Sequence, residues 1–176
     1  MIYRPYVPED FAQLYALEEV CFEPPFRFSR RTMRTLVQRS HAATWIAEEN
    51  GAMVGFAIVE WTERKTGVTA YIQTIEVVPE TRRKGVSREL LGRVEESARL
   101  AGAASIWLHV EAGNAGAIQL YEAQGYCCEG RQERFYPLGR AALIYVKRLN
   151  SESASTALPS ARRGVEMRSR VPKSSQ

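Results

Sequence analysis

A chain of 176 residues with 45% apolar and 25% charged side chains has the size and balance of one globular domain with a proper core. It contains no apolar run of membrane-spanning length, and its first residues, MIYRPYVPED, lack the apolar segment of a signal peptide. Cys21, Cys127 and Cys128, with His41 and His109 as the histidines, make neither a disulfide framework nor a zinc site, so a cytoplasmic, metal-free protein is expected.

IYRPY reads as a short strand, and Pro8 opens a helix over EDFAQLYALEEVCF, where Phe11, Leu14, Tyr15, Leu17, Val20 and Cys21 recur at helical spacing. Pro24 and Pro25 must end it, and Ser29 caps a second helix, RRTMRTLVQRS. AATWIAEE, MVGFAIVEWTE and VTAYIQTIEVV are strands, the first two joined by a tight NGA turn. A helix runs from about Val86 to Ala101 and stops at Gly102. ASIWLHVE is a strand, NAGAIQLYEAQ a helix closed by Gly125, and YCCEGRQERFY and AALIYVKRL pair as a final hairpin. The early strands imply antiparallel pairing, whereas the later β-α-β-α alternation implies right-handed crossovers and locally parallel strands. The expected fold class is α/β, a mixed sheet with flanking helices, over residues 1–150.

Residues 151–176 turn serine-rich and aromatic-poor, and their five cations against two acids hold three of the chain's four net positive charges. That stretch is expected to be a disordered basic tail, with weak attraction to polyanions as its only electrostatic consequence. The domain itself carries little net charge and no signature of a nucleic-acid binder.

The turn before the third helix is unusual. Arg82, Arg83 and Lys84 are followed by Gly85, Val86 and Ser87. Adjacent like charges repel, but a helix start offers unpaired N–H groups and partial positive charge. A glycine there lets successive N–H groups curl around an anion, and a bound phosphate relieves the repulsion. Taken alone, the segment fits a merely basic surface loop equally well. It is not a nucleotide P-loop, because Val86-Ser87 follows the glycine where Lys-Ser is required, and no GxGxxG is present.

Arg82, Gly85 and Ser87 occupy the three positions of [QR]xxGx[GA], the pyrophosphate loop of the GNAT acetyltransferases, with serine in place of the usual glycine or alanine. In VEAGNAGAIQLYEAQGY, Asn114, Tyr121, Gly125 and Tyr126 match a second feature of that superfamily, an asparagine at a helix start followed by a tyrosine and Gly-aromatic. The chain thus resembles the GNAT superfamily over roughly residues 1–149, most sharply from Tyr71 to Tyr126. Within it, the chain looks like the protein N-terminal acetyltransferases of the ribosomal-protein alanine and NatE catalytic-subunit types. YIQT with Tyr71 and LHV with His109 parallel YIMT and LHV in the NatE type. The ribosomal-protein type has a glutamate base at the position of His109, so that role does not carry over.

The resemblance implies a mostly antiparallel sheet with a central parallel pair, acetyl-CoA as cosubstrate, and a peptide or protein N-terminus as acceptor. It implies direct attack of the amine on the thioester. Backbone at Ile75, Glu76 and Val77 would hold the acetyl and pantetheine groups, with the Val77 N–H on the oxyanion. Arg82, Arg83, Lys84, Gly85, Val86 and Ser87 would hold the diphosphate, and Asn114 the pantetheine arm. Gln73 would lie beside the acceptor backbone.

An α-amine with a pKa near ~8 needs only a modest base, and neutral imidazole titrates in the useful range. His109 is the candidate base, acting through a water held by Tyr71; Tyr121 is the candidate proton donor to the thiolate. Glu76 is a reserve base, because strict alternation puts it opposite Tyr71, Gln73 and Ile75. Phe22, Pro25 and Phe28 would form one acceptor wall, and Phe135 and Tyr136 the other. Each assignment has a structural alternative: a packed histidine, a core tyrosine, an ordinary asparagine cap, aromatics sealing a core edge. A GNAT enzyme acting on a small amine or a lysine, and a noncatalytic RNA-associated module relying on the tail, are the competing functions.

Overall fold

The computed structural model describes residues 1–149; the expected basic tail lies outside the described residues. Strands β1 (Ile2–Pro5), β2 (Ala42–Glu49), β3 (Ala52–Arg64), β4 (Gly67–Val77), β5 (Ala103–Glu111), β6 (Cys127–Gln132) and β7 (Ala142–Arg148) form one sheet in the order β1-β2-β3-β4-β5-β7-β6. Helices α1 (Phe11–Cys21), α2 (Arg30–Val37), α3 (Val86–Leu100) and α4 (Ala115–Ala123) flank it. All neighbouring strands are antiparallel except β4 and β5. The alternation at the chain's end thus yields a single adjacent parallel pair. β7 inserts between β5 and β6, so the second crossover joins strands that do not touch. Among the described residues no helix is long and apolar enough to cross a membrane.

Helical periodicity explains both faces. Leu90, Leu91, Val94 and Ala98 of α3 pack with Val59, Ile72, Ile106 and Leu108 on one side of the sheet. Leu14, Leu17, Met33 and Leu36 of α1 and α2 pack with Ile46, Phe56 and Ile58 on the other. Ser29 caps α2 as expected, its Oγ accepting the Thr32 N–H at 3.1 Å. Val20 does not join the apolar stripe of α1: it is 61% exposed, while Glu18 is wholly buried. Phe11, Leu14 and Glu18 continue one helical stripe, and Val20 falls nearly half a turn away from it.

The decisive irregularities lie in β4. It pairs with β5 only from Val68–Ala103 to Tyr71–Trp107, after which the two strands run on to Val77 and Glu111 without pairing. On its other edge the register slips: Thr74 opposes Ile58 and Ile72 opposes Val59, leaving Gln73 as the extra residue of a bulge. The bulge resets the alternation. Ile72, Ile75 and Val77 all face the α3 side, and Glu76 comes onto the face of Tyr71, toward α1. The expectation that Glu76 lies opposite Tyr71 is therefore wrong, because a pattern of period two cannot register an inserted residue. Val78 N–H donates to Val54 at 2.9 Å, so the adjacent Gly55–Val77 pair is of the non-hydrogen-bonded type. Val77 accordingly points its N–H and C=O away from β3 and into the splay.

Candidate active site

The turn into α3 is built as a cradle. Gly85 is its N-cap residue in the left-handed region (φ 84°, ψ 1°), and Arg83 is left-handed as well (φ 64°). A Cβ at position 85 would meet nothing within 4 Å, so conformation rather than crowding calls for glycine. The first N–H groups of α3 have no helical acceptor and open toward the cleft. Arg82 turns inward instead, its Nε donating to the Val77 carbonyl at 3.0 Å, and ties the cradle to the end of β4. Lys84 leans away, 3.8 Å from Glu49, and does not line the cleft; the three cations of the motif do not act as one cluster.

The cleft has a volume of about 530 Å³. Arg83, Ser87 and Arg88 form its basic end, Ile75 and Val77 its floor, and α4 its opposite wall. On that wall Asn114 does two things. Its Oδ1 accepts the Ala117 N–H at 3.0 Å and caps α4, while its buried Nδ2 has no hydrogen-bond partner among the described residues. The cap thus leaves a donor available to a ligand carbonyl. Tyr121 lines the same cleft, buried to 4% exposure; burial pushes its phenol well above the ordinary value, so it holds its proton. Cys21 also lines the cleft, a position the sequence did not signal. Burial pushes its thiol up to about 12, which leaves it protonated and inert as a nucleophile. The Glu76 side chain points to the other face and does not reach the cleft.

Tyr71 and His109 meet on the opposite side of the splay. The Tyr71 hydroxyl lies 3.2 Å from His109 Nδ1, Phe135 stacks on the imidazole with centroids 4.0 Å apart, and Trp107 meets it edge-on. The Gln132 side chain also hydrogen-bonds to the ring, yet burial prevails and lowers the imidazole to about 4. Burial raises Tyr71 well above the ordinary phenol value. In the tautomer that leaves Nδ1 bare, the tyrosine donates to the imidazole. Both groups are neutral at physiological pH, so the expectation that His109 titrates in the working range is not met, because burial disfavours its charged form. This imposes an acid limit on stability. The unfolded histidine binds a proton below about 6.5 that the folded one refuses until about 4, so stability falls as pH drops through that window. The urea midpoint of wild type should drop more between those pH values than that of His109→Asn; equal drops would contradict the neutral buried imidazole.

The remaining expected residues frame this aromatic group. Gln73, Phe22 and Tyr136 are buried, whereas Pro25 is exposed and Phe28 half-buried. Tyr121 and Tyr136 both lie near enough to Tyr71 to couple electrostatically with its phenol, so Tyr121, which lines the cleft, is also near the aromatic cluster. Sequence reasoning missed a clasp over this pocket. Arg140 stacks on Phe26 at 4.7 Å and reaches both oxygens of Glu111 at 3.2 Å, joining the α1–α2 loop, the β6–β7 loop and the end of β5. It joins residues distant in sequence, so no local motif announces it.

Residues 11–126 match the model of the acetyltransferase (GNAT) family. The chain belongs to the GNAT family. Its relatives include the [ribosomal protein bS18]-alanine N-acetyltransferase of Escherichia coli K12, 31% identical over 116 residues, or 57% of this chain and 76% of that one. N-alpha-acetyltransferase 30 of Schizosaccharomyces pombe is 28% identical over 120 residues, covering 68% and 80%. Among solved structures, the Escherichia coli S18-alanine N-acetyltransferase superposes with a TM-score of 0.77 at 25% identity, covering 89% of this chain and 99% of that one. Arabidopsis thaliana NAA60, solved with acetyl-CoA, shares the fold at a TM-score of 0.74 and 23% identity over 84% of this chain and 98% of that one. The seven-stranded GNAT sheet with its β4–β5 parallel pair is thus the expected one, and the chain is an N-acetyltransferase.

Proposed function

We propose that this GNAT enzyme transfers the acetyl group of acetyl-CoA to the α-amine of a protein N-terminus. The observation that carries the reading is the splay between β4 and β5: the anion cradle and the cleft lined by Tyr121 lie on one side, and the aromatic cluster of Tyr71, Trp107, His109 and Phe135 on the other. Relatives named for N-terminal acetylation in Escherichia coli and Schizosaccharomyces pombe support the acceptor class. In this reading the diphosphate rests on the first turn of α3, near Gly85, Val86 and Ser87, with Arg83 and Arg88 beside it. Asn114 Nδ2 holds the pantetheine arm, and the Val77 N–H receives the oxyanion that forms when the amine attacks the thioester carbonyl.

The amine enters over Phe28 and Phe135, beside Gln73. Its proton passes by way of a water to the Tyr71 oxygen while Tyr71 gives its own proton to His109 Nδ1, so the pair acts as a relay. Tyr121, still protonated, donates to the departing thiolate. Residues 1–150 are the catalytic unit in this reading, and it works in the cytoplasm without a metal. Mass spectrometry of an N-terminal peptide library incubated with the enzyme and acetyl-CoA tests the acceptor. Acetylation of α-amines with a preference at the first residue is expected; transfer confined to lysine side chains or small amines would overturn the reading.

A further inference from the structure

Three segments far apart in the chain meet at the guanidinium of Arg140. Its Nη1 donates to both oxygens of Glu111 at 3.2 Å, and its Cζ lies 4.7 Å from the centre of the Phe26 ring, within cation–π range. β5 keeps an unbroken register with β7 as far as Glu111. Glu111 therefore shares the face of Trp107 and His109, while Ile106, Leu108 and Val110 turn to the core on the α3 side. It is the next side chain on that face after His109, at the mouth of the splay.

Main-chain bonds carry this anchor into the loops. The Arg140 carbonyl accepts the Tyr136 N–H at 2.9 Å, and the Ala141 carbonyl accepts the Ala112 N–H at 2.9 Å. The first closes the turn between β6 and β7, and the second fastens it to the end of β5. Phe135, the neighbour of Tyr136, is the ring that stacks on His109. On the other side, Phe26 and Arg27 donate their N–H groups to the Glu23 carbonyl at 2.8 and 3.2 Å, in the loop that leads to Phe28. The Arg140 side chain is 39% exposed and that of Glu111 18%, so solvent screens the pair and its share of global stability is small. Such a contact does not hold a fold together. It does bias how two loops sit, because loops open at far lower cost than the strands beneath them.

We infer that Arg140 is a positioning residue: its guanidinium ties the α1–α2 loop to the β6–β7 turn and so sets the spacing between Phe28 and Phe135. The functional consequence rests on the reading of those two loops as the acceptor walls. Arginine suits the position because a planar guanidinium covers a ring and donates from its edge at the same time. A lysine ammonium would offer charge to Glu111 but no plane to Phe26.

Full-length wild type, Arg140→Ala and Arg140→Lys are compared by amide exchange, urea unfolding, acetyl-CoA titration and kinetics on a peptide that the library screen shows to be acetylated. R140A should speed exchange roughly tenfold at the Phe26, Arg27 and Phe28 amides and at Tyr136, with the urea midpoint unchanged. Its peptide KM should rise roughly tenfold, with kcat within about threefold and acetyl-CoA affinity within about twofold. R140K should restore protection at Tyr136 and leave the Phe26 loop loose. Exchange in R140A that matches wild type at both loops overturns the tie. So does a fallen urea midpoint with faster exchange throughout the chain, because the residue would then hold the fold and not the loops. Full protection of both loops in R140K would remove Phe26 from the contact and overturn the link between them. Faster exchange confined to the two loops, with peptide KM unchanged, leaves the tie standing and removes the loops as acceptor walls. The exchange comparison needs no acceptor, so the two failures are told apart.

Discussion

Gly85→Glu should give a folded protein whose affinity for acetyl-CoA is at least ~100-fold lower, a loss of about 2.7 kcal/mol or more. Three features of the turn set this size. The side chain would leave a backbone at φ 84°, which costs a non-glycine residue about 1–2 kcal/mol. It would meet no protein atom, since the space around a Cβ there is open, so the fold should persist. The carboxylate would lie beside the free N–H groups at the start of α3 and repel the diphosphate from them. Gly85→Ala separates the contributions, because it carries the conformational cost without the charge, and should lose no more than about tenfold in affinity. Calorimetric titration of both variants, with circular dichroism to verify folding, reads the result. Tight binding by the glutamate variant would mean that the diphosphate does not rest on this turn, and the assignments at Asn114 and Val77 would go with it.

The contrast between this turn and the aromatic cluster around His109 shows what a sequence carries. Gly85, Asn114 and Tyr121 were legible because each belongs to a short strand-turn-helix segment whose conformation is fixed locally. A left-handed glycine, a cap and a helical repeat each leave a mark within four residues. The bulge at Gln73 left none. A polar residue in a strand reads as one more outward position, and only the slip at Ile58–Val59 shows that an extra residue has turned Glu76 toward α1. Glu18 was hidden for a similar reason: an acid beside Glu19 on a helix looks solvated until the Phe28 N–H that it accepts comes back from the next loop. Arg82 and Lys84 looked equivalent in a row of cations, yet Arg82 finds the carbonyl of Val77 and Lys84 finds Glu49. The insertion of β7 between β5 and β6 likewise depends on tertiary pairing that hairpin signals do not encode. Features closed by contacts far apart in the chain were therefore the ones misread.

His109→Ala should lower kcat on a peptide acceptor by roughly 100-fold and leave acetyl-CoA affinity within twofold, because the imidazole does not line the cleft. The size follows from its place in the relay. In the proposed relay Nδ1, 3.2 Å from the Tyr71 hydroxyl, takes its proton, and without it the tyrosine would have nowhere to send that proton as the amine nitrogen becomes acidic on bonding to carbon. Tyr71→Phe should cost a similar factor, and the double variant little more than either single one, since the two act as a unit. The pH profile gives a sharper test. With the imidazole held near about 4, it is already neutral across the working range. The rise of kcat/KM with pH should then follow deprotonation of the amine near ~8, without a break at the ordinary histidine value. A break near 6.5 that disappears in the alanine variant would show a solvated histidine titrating on its own, contrary to the burial that disfavours its charged form. Unchanged turnover in His109→Ala would leave Tyr71 as a donor with no acceptor behind it and remove the relay, while the cleft and its cradle would stand.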